Sequence, residues 1–131
     1  MKLDHIGIAV RDIHEALNTY QNALGLPLRD IVEVADQKVT VAFLPAGETD
    51  LELVQPAGDE GGVARFLQER GEGIHHLCIE VEDIEAAMER LRAHGARLID
   101  KTPRRGAHGR VAFVHPKSMH GVLLELVEHD R

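Results

Sequence analysis

"DHIGIAVRDIHEALNTYQN", residues 4–22, lies over "HHLCIEVEDIEAAMERLRA", residues 75–93, at a constant offset of 71 positions. His5 meets His76, Asp12 meets Asp83 and Ile13 meets Ile84. After a one-residue slip, "GLPLRD" (25–30) lies over "GARLID" (95–100). "VAFLP" (41–45) then recurs as "VAFVHP" (111–116), and "LELVQ" (51–55) as "LELVE" (124–128), which lays Glu52 over Glu125. The chain is thus two copies of one module of about 55 residues, 1–56 and 73–131, with residues 57–72 between them.

Both copies have the same internal grammar. Alternating apolar residues (Ile6, Ile8, Val10; Leu77, Ile79, Val81) make a strand that leads into an aspartate suited to cap a helix, Asp12 or Asp83. The first helix carries Ile13, Ala16, Leu17, Tyr20, Ala23 and Leu24 at helical spacing, with Glu15 three residues after Asp12; the second carries Ile84, Ala87, Met88 and Leu91. Gly25 and Gly95 supply helix ends. Three strands are predicted to follow in each copy, over about 26–34, 38–45 and 49–55, then about 96–100, 110–115 and 121–128, so the module is βαβββ. The spacer, with Val63, Phe66 and Leu67 between glycines, reads as a short helix.

At 131 residues and 44% apolar composition the chain is the size of one domain, 1–131, with a real core. A single cysteine, Cys78, excludes an internal disulfide framework, and the opening residues read as a strand rather than a leader, so a cytoplasmic location is expected. No apolar run approaches the roughly 20 residues of a membrane helix. Acidic residues outnumber basic ones 22 to 15 and aromatic residues are 3%, which argues against a nucleic-acid surface. The cations are unevenly spread, however. Arg97, Lys101, Arg104, Arg105, Arg110 and Lys117 face only Asp100 within their stretch, a segment suited to an anion.

Strand alternation decides which polar residues share a site. The helix covers the face of Ile6, Ile8 and Val10, and its counterpart covers Leu77, Ile79 and Val81, so His5 and His76 face the other way, beside the small Gly7, Ala9 and Cys78. His75 falls on the helix side or at the frayed strand start. Leu51 and Leu53 share one face and Glu52 takes the other; Leu124 and Leu126 do the same around Glu125. A carboxylate in mid-strand is costly to bury unless it is paired, hydrogen-bonded or metal-bound. A lone strand histidine is usually structural and a lone strand glutamate usually faces solvent, but here both types recur at equivalent points of a repeat. Two imidazoles and two carboxylates suit one divalent first-row ion such as Co, Mn, Fe, Ni or Zn. Cys78 shares their face as a small buried hydrophobe.

The segments "LDHIGIAV", "FLPAGETDLELVQP", "GEGIHHLCIEVEDI", "GAHGRVAFVHPKS" and "GVLLELVE" resemble the vicinal oxygen chelate superfamily (glyoxalases, bleomycin-resistance proteins, dioxygenases) and, within it, the methylmalonyl-CoA epimerases. The resemblance implies an α+β fold in which two tandem βαβββ modules form an open, barrel-like curved mixed sheet around a metal cleft. It also implies a homodimer. It places the metal ligands on His5, Glu52, His76 and Glu125, with one divalent ion per chain (Co, Mn, Ni, Zn or Mg, cobalt favoured). Some epimerases have Gln where Glu52 stands. The implied reaction exchanges the 2R and 2S forms of methylmalonyl-CoA by removing and returning the C2 proton through a metal-stabilised enolate, with Glu125 as a base. A glutamate that serves as the second base in some members falls on Thr40. The acyl-CoA substrate is expected at Gly106, Ala107, His108, Gly109, Lys117 and Ser118: loop amides hold its carboxylate, while Lys117 and the nearby arginines meet coenzyme A phosphates. Two other readings share the fold: a glyoxalase-like lyase or ring-cleaving dioxygenase, and a non-catalytic small-molecule-binding protein, against which Glu52 and Glu125 speak.

Overall fold

The computed structural model describes residues 1–131 and contains eight strands and three α-helices. They are β1 (Lys2–Ala9), α1 (Ile13–Leu17), β2 (Asp30–Val34), β3 (Val39–Ala46), β4 (Thr49–Pro56), α2 (Gly62–Arg70), β5 (Gly73–Glu80), α3 (Ile84–Ala93), β6 (Arg104–Arg105), β7 (Gly109–Val114) and β8 (Leu124–His129). The chain divides into two compact units. The first is His5–His75; the second is His76–Arg131 together with Met1–Asp4.

In the first unit the strand order is β2-β3-β4-β1, with β1 parallel to β4 and the other neighbours antiparallel. In the second, β5 runs parallel to β8, which continues antiparallel to β7 and then β6. Each unit therefore repeats one connectivity, as the duplicated sequence requires. The cores also correspond. Val10, Ile13, Leu17, Ala42, Leu44 and Leu53 pack between sheet and helix in the first unit, and Val81, Ile84, Met88, Ala112, Val114 and Leu126 in the second.

Both helices start as the sequence predicts. The Asp12 carboxylate accepts from the His14 and Glu15 N–H groups at 2.8 and 3.1 Å, and Asp83 from Ala86 N–H at 3.0 Å. A second fastening was not foreseen. Gln55 Oε1 accepts the Ile13 N–H at 2.8 Å, and Glu128 Oε2 accepts the Ile84 N–H at 3.0 Å, so the last strand of each copy holds the first turn of its helix.

Two expectations need correction. The first helix does not run as α-helix to Leu24, because residues Asn18–Ala23 form a π-helical turn in which Leu24 N–H reaches the Thr19 carbonyl. The offset between the copies falls from 71 to 70 at this point, so the first copy holds one residue more, and the wider turn takes it up. The widened register rotates Leu24 off the apolar stripe and leaves it 65% exposed. In the second copy the expected strand over 96–100 shrinks to one bridge, Leu98 to Val114. There the Asp100 side chain, instead of a backbone carbonyl, takes the Phe113 N–H at 2.8 Å, and the chain leaves the ladder until β6. Gly25 and Gly95 end their helices at φ of 93° and 85°, as read.

Candidate functional site

Four polar side chains are buried in the chain: His5, Glu52, His76 and Glu125, all between 5% and 8% exposed. In the first unit, β1 pairs Gly7 with Glu52, and β3 pairs Phe43 with Glu52, so the carboxylate leaves the sheet on the side away from α1. There the His5 Nδ1 lies 2.9 Å from Glu52 Oε2. In the second unit, Cys78 and Phe113 stand opposite Glu125, and His76 Nε2 lies 3.1 Å from Glu125 Oε1. The His76 ring meets Phe113 edge-on at 5.9 Å. Cys78 is fully buried against Val111 and Val127, as a small hydrophobe. His75 turns the opposite way and stands edge-on to Phe66 of α2 at 5.1 Å, which removes it from the pair.

Each pair is a nitrogen and an oxygen donor held in contact and kept from water. A buried carboxylate demands compensation, and an imidazole offers it in two ways: by donating its N–H, or by turning its lone pair, with the carboxylate, toward a shared cation. A His and Glu donor set fits a borderline divalent ion, and both pairs pass that test of chemistry. The aromatic wall was missed in the sequence, although its signal was there. Phe43 and Phe113 are equivalent residues of the recurring "VAF" segment, and each faces its unit's glutamate.

The register of β3 also moves Thr40 out of consideration. Thr40 pairs with Gln55, on the face where Gln55 fastens α1, whereas Val41 and Phe43 share the Glu52 face. That face of β3 carries no acid or base. A surface cavity of about 440 Å³ also lies on the α1 side, lined by Ile8, Val10, Asp12, Glu15 and Tyr20 among others. Two of its acids are already committed, Asp12 to the helix cap and Glu72 to the Arg11 N–H at 2.9 Å, so it is not where the paired chemistry sits.

The basic segment looks different once its partners are known. Arg104 Nε lies 2.8 Å from Asp100, Arg105 binds Asp130, and Arg110 bridges Glu85 and Glu128 at 2.7 and 2.8 Å. Donating hydrogen bonds to Glu85 and Glu128 raises the Arg110 pKa, while Arg110, and then the Ile84 N–H, lower that of Glu128. Asp130 is lowered by Arg105. These arginines answer to acids of the chain itself, whereas Lys117 is exposed. It sits in the single turn Pro116–Ser118, where Ser118 Oγ accepts the Arg97 N–H at 2.8 Å and keeps its own proton to donate. Residues 106–109 form the tight link between β6 and β7, closed by Gly106 N–H to the Gly109 carbonyl at 2.8 Å. A methyl group on Gly109 would collide with the Glu128 carbonyl and lie 2.9 Å from His129 Cα, so only glycine fits there.

Residues 4–113 match the sequence model of the Glyoxalase/Bleomycin resistance protein/Dioxygenase superfamily. The chain is 43% identical over 129 residues to the mitochondrial methylmalonyl-CoA epimerase of Dictyostelium discoideum, covering 97% of this chain and 78% of the relative. It is 43% identical over 128 residues to the ethylmalonyl-CoA/methylmalonyl-CoA epimerase of Cereibacter sphaeroides, covering 95% and 96%. Among solved structures it matches a methylmalonyl-CoA epimerase in complex with methylmalonyl-CoA and NH4+, with a TM-score of 0.92 at 34% identity over 96% of this chain and 92% of that one.

Proposed function

The chain belongs to the Glyoxalase/Bleomycin resistance protein/Dioxygenase superfamily, and we propose that within it the protein interconverts the 2R and 2S forms of methylmalonyl-CoA. The observation that carries this reading is that the four buried polar residues of the chain are one histidine and one glutamate from each copy of the repeat. Full-length similarity to epimerases supports it.

In this reading His5, Glu52, His76 and Glu125 hold one divalent ion, cobalt by preference, and the whole chain acts as a single domain, assembled as a cytoplasmic homodimer. When bound, the ion supplies Lewis acidity, which lowers the cost of the negative charge that builds on the thioester oxygen as the C2 proton leaves, by several kcal/mol. Glu125 takes that proton. Its carboxylate is held by the β8 backbone opposite Cys78 and Phe113, where bulk water does not compete for it. Phe43 and Phe113 stand opposite the two carboxylates in the sheet, and inversion requires that C2 be reprotonated from the face away from Glu125 by a second carrier that exchanges with solvent. The second proton carrier does not come from β3, whose matching face shows Val41 and Phe43. The amides of Gly106, Ala107, His108 and Gly109 receive the substrate carboxylate with the Ser118 hydroxyl, and Lys117 meets a coenzyme A phosphate.

The test is incorporation of solvent deuterium at C2 of methylmalonyl-CoA by the cobalt-loaded protein, followed by analysis of which stereoisomers form. Exchange with inversion is expected, together with loss of activity on chelation and recovery on adding back the ion. A loaded protein that exchanges nothing rules the reading out. Turnover of a glutathione hemithioacetal instead would point to lyase chemistry on the same fold.

A further inference from the structure

Strand β8 ends at His129, whose ring is held from two sides. Its Nε2 lies 2.5 Å from Asp4 Oδ1, and the ring also bonds to the backbone carbonyl of His108. Both partners accept hydrogen bonds, so the imidazolium, with a hydrogen on each nitrogen, is the form that satisfies both. Partial burial works against that charge, but the bond to Asp4, the charges of Asp4 and Glu80, and the His108 carbonyl outweigh it and raise the His129 pKa. The ligand-type atoms of Asp4, Glu80 and His129 lie within 4.8 Å of one another, which places two carboxylates around one ring.

The His108 carbonyl is a shared anchor. It also accepts the Asp130 N–H at 3.0 Å, and the Asp130 carboxylate binds Arg105 at the other end of the same loop. The peptide link from His108 to Gly109 is trans, so its C=O and N–H point in opposite directions. With the carbonyl turned to His129 and Asp130, the Gly109 N–H must point away from β8. Gly109 stands opposite His129 in the β7–β8 ladder, and the bond from Asp130 to His108 marks that pair as one whose own N–H groups do not face each other.

We propose that His129 is a positioning residue for the substrate carboxylate: anchored on Asp4, its ring fixes the His108 carbonyl and thereby aims the Gly109 N–H at the bound anion. This rests on the reading of residues 106–109 as the carboxylate-binding loop. Nothing in the "GAHG" motif itself reveals it, because the residues that aim the loop lie at the two ends of the chain.

The test compares His129→Phe, which keeps a ring but loses both polar atoms, with His129→Gln, whose amide still donates to a carbonyl. In the Phe variant KM for methylmalonyl-CoA is expected to rise about tenfold with kcat within about twofold, the pattern of a lost binding hydrogen bond. Hydrogen exchange of the Gly109 amide in the substrate-free protein should speed up in the same variant, and Gln should recover most of both effects. His129→Ala replaces the Phe variant if that one fails to fold. An unchanged KM in a folded Phe or Ala variant overturns the proposal, as does a fall in kcat alone or a Gln variant no better than Phe. Wild-type protein without epimerase activity overturns the proposed function instead. The exchange measurement still stands in that case, and equal Gly109 exchange in wild type and variant overturns the loop-fixing role by itself.

Discussion

Glu125 is where burial and chemistry meet most directly. Its carboxylate is buried, contacts His76 and faces an aromatic ring, and it is the residue assigned the C2 proton. Glu125→Gln keeps the shape and the hydrogen-bonding carbonyl but removes the base, so turnover should fall by about 10²–10⁴-fold in a steady-state assay, with melting temperature little changed. Undiminished turnover would reassign the base. Glu52→Gln is expected to be milder, because some epimerases have Gln at this position. At residue scale the sequence was informative wherever strand alternation applied: it separated His76 from His75 and set Glu52 and Glu125 opposite their leucine neighbours. It was silent on Thr40, whose side depends on the β3–β4 register and not on any local pattern. It was equally silent on Asp4 and His129, which are 125 residues apart and meet only in the folded chain.

At the scale of elements, the repeat explains the departures as well as the regularities. The extra residue of the first copy is absorbed by the π turn, so deleting Ala23 should convert that turn to α-helix like α3. Its melting midpoint is expected to stay within about 5 °C of wild type, the shift that roughly 1 kcal/mol brings in a domain of this size. Deleting Ala87 from α3, which has no residue to spare between its Asp83 cap and the buried Met88, should lower the midpoint far more. The helix fastenings make a second prediction. Gln55 and Glu128 do the same work in the two copies, but Glu128 also binds Arg110, which lowers its pKa from the ordinary 4.5. A carboxylate lowered in the folded state adds stability above its ordinary pKa and loses it as pH falls through the folded value. Glu128→Gln keeps the acceptor for Ile84 N–H. The stability gap to wild type should therefore be present at neutral pH, shrink below about pH 4.5 in urea titrations, and narrow with added salt because its Arg110 partner is partly exposed. A gap that widens in acid would refute this account.

For the molecule as a whole, the decisive question is whether the two histidine–glutamate pairs serve one ion or two. A shared ion predicts one metal per chain by elemental analysis and its complete loss in either His5→Ala or His76→Ala, with circular dichroism unchanged. Two independent sites would predict two ions and a half-loss in each variant. No helix is long and apolar enough to cross a membrane, in line with the hydropathy of the sequence. By itself, the sequence determined the duplication, the βαβββ order, the helix caps and the face on which each histidine and glutamate lies. All of these follow from periodicity and from short-range geometry that a linear string carries. Only the tertiary structure decided that Arg104, Arg105 and Arg110 of the basic segment are bound by the chain's own acids, that Phe43 and Phe113 stand opposite the glutamates, and that His129 meets Asp4. Those contacts join residues far apart in the chain, and their partners are set by strand register and packing, which no local pattern encodes.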